Sequence, residues 1–116
     1  MYAIGIDIGT TSICGVLIDI SDGTVVKSST VPSEAFLKTD NVWEKIQNTE
    51  KIINIAKNII DDFLNKETVV IGITGQMHGI VYIDNNGSAI SPLYTWQDME
   101  HLGNVIAVFL FEASKV

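Results

Sequence analysis

The sequence predicts an α/β domain: three antiparallel strands, then one helix, then a strand parallel to one of the first three. Three features of the chain point there. Residues 2–8, 13–20 and 24–31 read as strands joined by tight turns. A broad apolar stripe at helical spacing follows, between about residues 42 and 65. A β-branched run from Thr68 to Thr74 comes directly after it.

The first strand, Tyr2 to Ile8, alternates cleanly. Tyr2, Ile4, Ile6 and Ile8 fall on one face, and Ala3, Gly5 and Asp7 on the other. The second strand, Ile13 to Ile20, begins only four residues later. Ser21-Asp22-Gly23 is a strong turn signal, because Asp-Gly suits a hairpin. The third strand, Thr24 to Val31, stops before Pro32, and Val31 to Asp40 reads as a loop. For the helix, Asn41 with Glu44 three residues on resembles a capping box. Ile46, Ile53, Ala56, Ile60 and Phe63 form the stripe, widened by Ile52, Ile59 and Leu64. Lys66 suits the C-terminal end of the dipole, so the predicted helix is Val42 to Asn65. Thr68 to Thr74 then reads as a buried strand, laid parallel by a right-handed crossover. Gly75 to Gly79 is a loop, Ile80 to Ile83 a short strand, Asp84-Asn85-Asn86-Gly87 a turn, and Pro92 to Asp98 irregular. A β-β-β-α-β order is the ribonuclease-H-like arrangement, whose sites lie at the ends of the central strands.

A chain of 116 residues with 47% apolar content can build one ordinary core. Its net charge is −7 and it contains no arginine, which argues against binding nucleic acid or an anionic membrane. No bidentate arginine clamp is possible either, so a phosphate site must use backbone amides, hydroxyls, lysine or metal. The single cysteine, Cys14, cannot form an intrachain disulfide and suits a small buried position in the second strand. With no signal peptide in view, this predicts a cytoplasmic setting. The longest apolar run, Val105 to Phe111, is far too short to span a bilayer, but is prone to pack or to pair with a second copy as a homodimer.

The residues with most chemical content open the chain. Asp7, Gly9, Thr10, Thr11 and Ser12 fall at the tip of the first hairpin. Gly9 would let the backbone approach a ligand and reach positive φ. The turn amides and the hydroxyls of Thr10, Thr11 and Ser12 can donate to phosphate oxygens, and Asp7 can hold a hydrated Mg²⁺ beside them. No Gly-Lys-[Ser/Thr] follows and a strand stands where a helix should, so this is not a Walker loop. It resembles the other common phosphate cradle, the hairpin of actin-like ATPases and sugar kinases. Asp-x-Gly-Thr is equally ordinary turn chemistry. Two further segments could converge with the hairpin: the Gln76-Met77-His78 loop at the carboxyl end of the fourth long strand, and Trp96-Gln97-Asp98. His78 and Asp98 can hydrogen-bond the hydroxyls of a sugar or polyol, and Trp96 can cover its carbon skeleton. Equally, His78 can be a satisfied structural histidine, Trp96 core, and Asp98 a helix cap. No Gly-x-Gly-x-x-Gly follows the first strand, which excludes a dinucleotide-binding reading.

Ile-Gly-Ile-Asp-Ile-Gly-Thr-Thr-Ser, Ile-Thr-Gly-Gln-Met-His-Gly and Thr-Trp-Gln-Asp together resemble the N-terminal third of an FGGY-type carbohydrate kinase, over residues 2–98. Gln-Met-His-Gly is similar to the xylulokinase and sedoheptulokinase branch, and Trp-Gln-Asp to its sedoheptulokinase side. The resemblance implies ATP and Mg²⁺ as cofactors and transfer of the γ-phosphate to a terminal hydroxyl of a ketose. It implies Asp7 near the metal, Gly9 to Ser12 at the nucleotide phosphates, and Gln76, Met77, His78, Trp96 and Asp98 at the sugar. It also implies that the catalytic aspartate and the adenosine-binding second domain lie beyond residue 116, so that the chain alone is inactive. Glu100 stands where the family commonly carries arginine, and residues 99–116 form a divergent tail. Two other readings compete: a non-catalytic sugar-binding or regulatory module on the same scaffold, and an actin-like nucleotide-binding scaffold. Assembly needs no sugar site, so the Gln-Met-His-Gly loop disfavours the second.

Overall fold

The computed structural model describes residues 1–40, 44–76 and 79–95. The chain divides into two compact units, Met1–Glu34 with Glu50–Gln76, and Ala35–Thr49 with Met77–Val116. The first unit carries the main sheet. Strand β1 is Tyr2–Ile8, β2 is Ser12–Asp19 and β3 is Thr24–Pro32, each within a residue of the sequence expectation. β1 pairs antiparallel with β2, and β2 antiparallel with β3. The β2–β3 turn needs Gly23, whose φ of 77° is left-handed and whose N–H donates to the Asp19 carbonyl at 2.8 Å. Asp19 also accepts from the hydroxyl and N–H of Ser21, which hold its carboxyl below the usual carboxylate range.

Helix α1, Thr49–Phe63, is shorter at its start than its apolar stripe suggests. Ile52, Ala56, Ile59 and Phe63 are its buried seam, one residue every turn on one face. They close on the Ile4/Ile6 face of the sheet, where Ile59, Ile6 and Phe63 crowd Gly15 so closely that no β-carbon would fit. Each large side chain so buried stabilises the fold by about 1.5–3 kcal/mol. Ile53 and Leu64, also part of the predicted stripe, are exposed. Lys66 lies past the helix end, and no basic residue stands in the last turn.

The last strand of this unit, named β5, is Thr68–Gly75. It pairs parallel to β1, giving a four-stranded sheet of order β3-β2-β1-β5. The sequence predicts a buried strand here, and the structure corrects it: Val69, Val70, Ile71 and Ile73 are all exposed. β5 is an outer strand of the described sheet. By register, Ile71 and Ile73 share the face of Ile4 and Ile6, yet they lie outside the helix seam that covers Gly15.

In the second unit, β4, Ile46–Gln47, pairs antiparallel with β6, Leu93–Tyr94. This replaces the predicted start of the helix: Ile46 and Glu44 lie outside it, and Asn48, a residue type suited to an N-cap, immediately precedes it. The capping-box residue Asn41 is outside the described residues. Gln47 is fully buried, with Ala35, Ile80 and Thr95 also buried in this unit. The Ile80–Ile83 segment is not a strand. It makes single bridges, Ile80 to Tyr94 and Ile83 to Ala89, around the Asp84–Gly87 turn. That turn is closed by the Asp84 carboxylate, which accepts from the N–H groups of Asn86 and Ser88.

Candidate functional site

The β1–β2 hairpin tip is built by three residues, Gly9, Thr10 and Thr11, between the paired Ile8 and Ile13 and the start of β2 at Ser12. Asp7 is the last but one residue of β1. Its nearest cross-strand neighbours are Cys14 on β2 and Thr74 on β5. The alternation that buries Ile4 and Ile6 under α1 turns Asp7 to the opposite face, where it is exposed. On this face Gly5 pairs with Gly72, leaving a shallow hollow of about 390 Å³ whose rim includes Asp7, Cys14, Val16 and Thr74. Cys14 is half-buried rather than buried, and the Thr30 hydroxyl lies 3.5 Å from its sulfur.

Gly9 is required for a different reason from the one the sequence suggests. Its φ is not left-handed; only Gly23 and Gly87 are so among the described glycines. A β-carbon at Gly9 would instead stand 2.7 Å from the Ser12 carbonyl oxygen. That oxygen accepts the hydrogen bond from the Gly9 N–H, at 2.9 Å, that closes the turn.

The carbonyls of the three tip residues and of Ser12, the first residue of β2, are all engaged within the domain. Ser12 O accepts from Gly9 N–H at 2.9 Å, and Thr11 O from Ser33 N–H at 2.9 Å. Thr10 O accepts from the Ser33 hydroxyl at 3.3 Å, and Gly9 O from the Gln76 side-chain amide at a long 3.5 Å. With its carbonyl oxygens held by the protein, the turn can direct N–H groups and the hydroxyls of Thr11 and Ser12 toward an anion. Ser33 belongs to no recognisable motif. Nothing in its neighbourhood, Val31-Pro32-Ser33-Glu34, marks it in the sequence; only the β2–β3 register, which ends at Ser12 opposite Pro32, carries it to the hairpin.

Of the predicted site residues, Asp7, Gly9, Thr10, Thr11, Ser12 and Gln76 are thus brought together in the first unit. Met77, His78, Trp96 and Asp98 lie outside the described residues. Among the described residues no cluster of three His, Cys, Asp or Glu side chains could hold a metal ion alone.

The sequence profile of the FGGY family of carbohydrate kinases, N-terminal domain, matches residues 2–106. The chain belongs to the FGGY family of carbohydrate kinases. It is 33% identical over 104 residues to a xylulose kinase of Staphylococcus xylosus, covering 84% of this chain and 20% of that protein. It is 32% identical over 101 residues to a gluconokinase of Bacillus subtilis, covering 84% of this chain and 19% of that protein. The chain therefore spans about a fifth of the length of these curated relatives. Among solved structures, a ligand-bound xylulose kinase from Lactobacillus acidophilus superposes with a TM-score of 0.72 at 26% identity, over 98% of this chain and 22% of its own. A xylulose kinase from Rhodospirillum rubrum gives 0.74 at 21% identity, over 100% and 24%, and shows the shared fold alone. These FGGY neighbours share the actin-like ATPase fold, to which the mixed sheet and helix described above correspond.

Proposed function

We propose that this chain is the N-terminal, ribonuclease-H-like part of an ATP-dependent kinase that phosphorylates a ketose or closely related polyhydroxylated acid, with Gly9 to Ser12 receiving the nucleotide phosphates. The observation that supports it most is the hairpin tip itself, whose carbonyls are engaged by the domain while Asp7 stands exposed at its base. A chain without arginine has no bidentate guanidinium clamp for phosphate, so backbone and hydroxyl donors of this kind gain weight.

Asp7 fits a Mg²⁺ ion that arrives with its nucleotide. Magnesium keeps several waters and is held by one or two carboxylates plus substrate phosphates, so a single exposed carboxylate beside a phosphate cradle suffices. When bound, such an ion neutralises charge on the phosphates. The hairpin donors orient the phosphate oxygens through the turn's fixed geometry, and positioning of this kind accounts for most of the catalysis in phosphoryl transfer. For the acceptor we assign Gln76, Met77, His78, Trp96 and Asp98 to the sugar, on the strength of their motifs. Trp-Gln-Asp supports a sedoheptulose-like ketose, and the gluconokinase relative adds an aldonic acid to the candidates. The catalytic base is assigned to the part of the family's length that these 116 residues do not cover. A second reading, a sugar-binding module without turnover, draws on Glu100, which reverses the charge usual at that position.

Titration of the chain with Mg·ATP, followed by amide resonances, tests the phosphate site. Thr10, Thr11 and Ser12 should shift, and Asp7→Asn should remove the magnesium dependence. Absence of any response at residues 9–12 at millimolar nucleotide would refute the reading. An ADP-release assay with xylulose, sedoheptulose and gluconate should show no turnover by the chain alone. Rates in the usual kinase range of about 1–100 s⁻¹ would place the base within these residues. Sugar binding with no nucleotide response would favour the second reading.

A further inference from the structure

We propose that Ser33 is the positioning residue of the phosphate hairpin: it clasps the turn by two consecutive carbonyls and holds it in the shape that presents donors to an anion. The inference rests on the reading of Gly9 to Ser12 as the phosphate site. Ser33 is only 1% exposed, so its hydroxyl needs a protein partner. The partner is Thr10 O, at 3.3 Å, while the Ser33 N–H takes the next carbonyl, Thr11 O, at 2.9 Å. The backbone bond alone would merely extend the β2–β3 ladder by one step. The hydroxyl bond does more, because it reaches past the ladder to the turn residue whose carbonyl no strand partner can meet.

The chain around Ser33 is arranged to keep it there. Glu34 has a φ of 46°, left-handed for a residue with a β-carbon. Such a conformation is unfavourable and persists only where the surroundings enforce it. Lys51, in the first turn of α1, donates from Nζ to the Glu34 carbonyl at 3.0 Å and so fixes the kink from outside. An extended exit from β3 would need no left-handed residue. The kink turns the chain away directly after Ser33 while Ser33 stays against the hairpin. Helix, kink and serine thus form one route by which α1 sets the shape of the turn.

The experiment compares wild type, Ser33→Ala and Ser33→Thr in the full 116-residue chain. Backbone ¹⁵N relaxation is recorded first without nucleotide, then Mg·ATP is titrated. In Ser33→Ala the order parameters of Thr10 and Thr11 should fall from about 0.85 toward 0.6 or below, with strand amides unchanged. The apparent Kd for Mg·ATP should weaken roughly tenfold. Ser33→Thr, which keeps the hydroxyl, should restore both. Unchanged hairpin order in Ser33→Ala would overturn the proposal, as would loosening spread evenly over the whole core. If Ser33→Ala does not fold, Lys51→Met serves: it releases the Glu34 carbonyl and should loosen Thr10 and Thr11 to a lesser degree, and an unmoved hairpin again overturns the clasp. Loosening in the variants together with no Mg·ATP response in wild type would support the clasp and refute the phosphate assignment, so the two fail separately.

Discussion

At the scale of single residues, the hairpin tip is governed by space. A β-carbon at Gly9 must displace the Ser12 carbonyl, so Gly9→Ala should break the bond that closes the turn. We expect a loss of about 1–3 kcal/mol in urea denaturation, with collapse of the Mg·ATP response at Thr10 and Thr11. Asp7 and Gly9 to Ser12 stand out in the sequence as candidates because they are contiguous and their residue types suit phosphate and magnesium. The reason for Gly9 does not, since a steric conflict with a carbonyl three residues on depends on how the turn closes. Ser33 is illegible for a related reason. A serine acquires its role only from what the strand register sets opposite it, and no local pattern encodes that. Gln76 stands in the sequence only as part of a motif assigned to a sugar, and its 3.5 Å contact with Gly9 O follows from the three-dimensional fold alone.

At the scale of elements, the strands of the main sheet are legible to a residue or two, because alternation and turn residues set their ends locally. The helix start is not. Ile46 and Glu44 fit a helical pattern, yet Ile46–Gln47 pairs with Leu93–Tyr94, a segment far along the chain with no strand signal of its own. Tertiary pairing overrides local propensity there. The apolar stripe in the sequence is also one step wider than the buried seam of α1. Ile59→Ala should cost about 2–5 kcal/mol, since it empties a buried site against Gly15, Ile6 and Phe63. Ile53→Ala, at a position 47% exposed, should stay within about 1 kcal/mol. Equal losses from the two substitutions in urea denaturation would contradict the seam described for α1.

At the scale of the whole molecule, β5 departs furthest from what its sequence suggests. A β-branched run looks the same in a covered strand and at the rim of a sheet, so Thr68 to Thr74 read as buried. Its uncharged sequence, with Val69, Val70, Ile71 and Ile73 exposed, is a row of the kind that lowers solubility. Ile73→Lys, at 65% exposure, should therefore raise solubility while changing stability by less than about 0.5 kcal/mol. Precipitation thresholds and urea midpoints of wild type and variant check this; an unchanged threshold would show that β5 is not what limits solubility.

The two side-chain contacts on the hairpin carbonyls also differ in when they can form. Ser33 lies 23 residues along the chain from Thr10, and Gln76 lies 67 from Gly9. Loop-closure entropy makes the longer contact dearer by about 1 kcal/mol before any packing gain. Synthesis separates them further, because at about 5–20 residues per second Gln76 is made a few seconds after Ser33. During that interval the first three strands can already be paired, with the hairpin tip fastened on its Ser33 side and still open on the other. The contacts that shape the hairpin tip therefore form in two steps, the first written into the opening 33 residues and the second waiting for the parallel strand to dock.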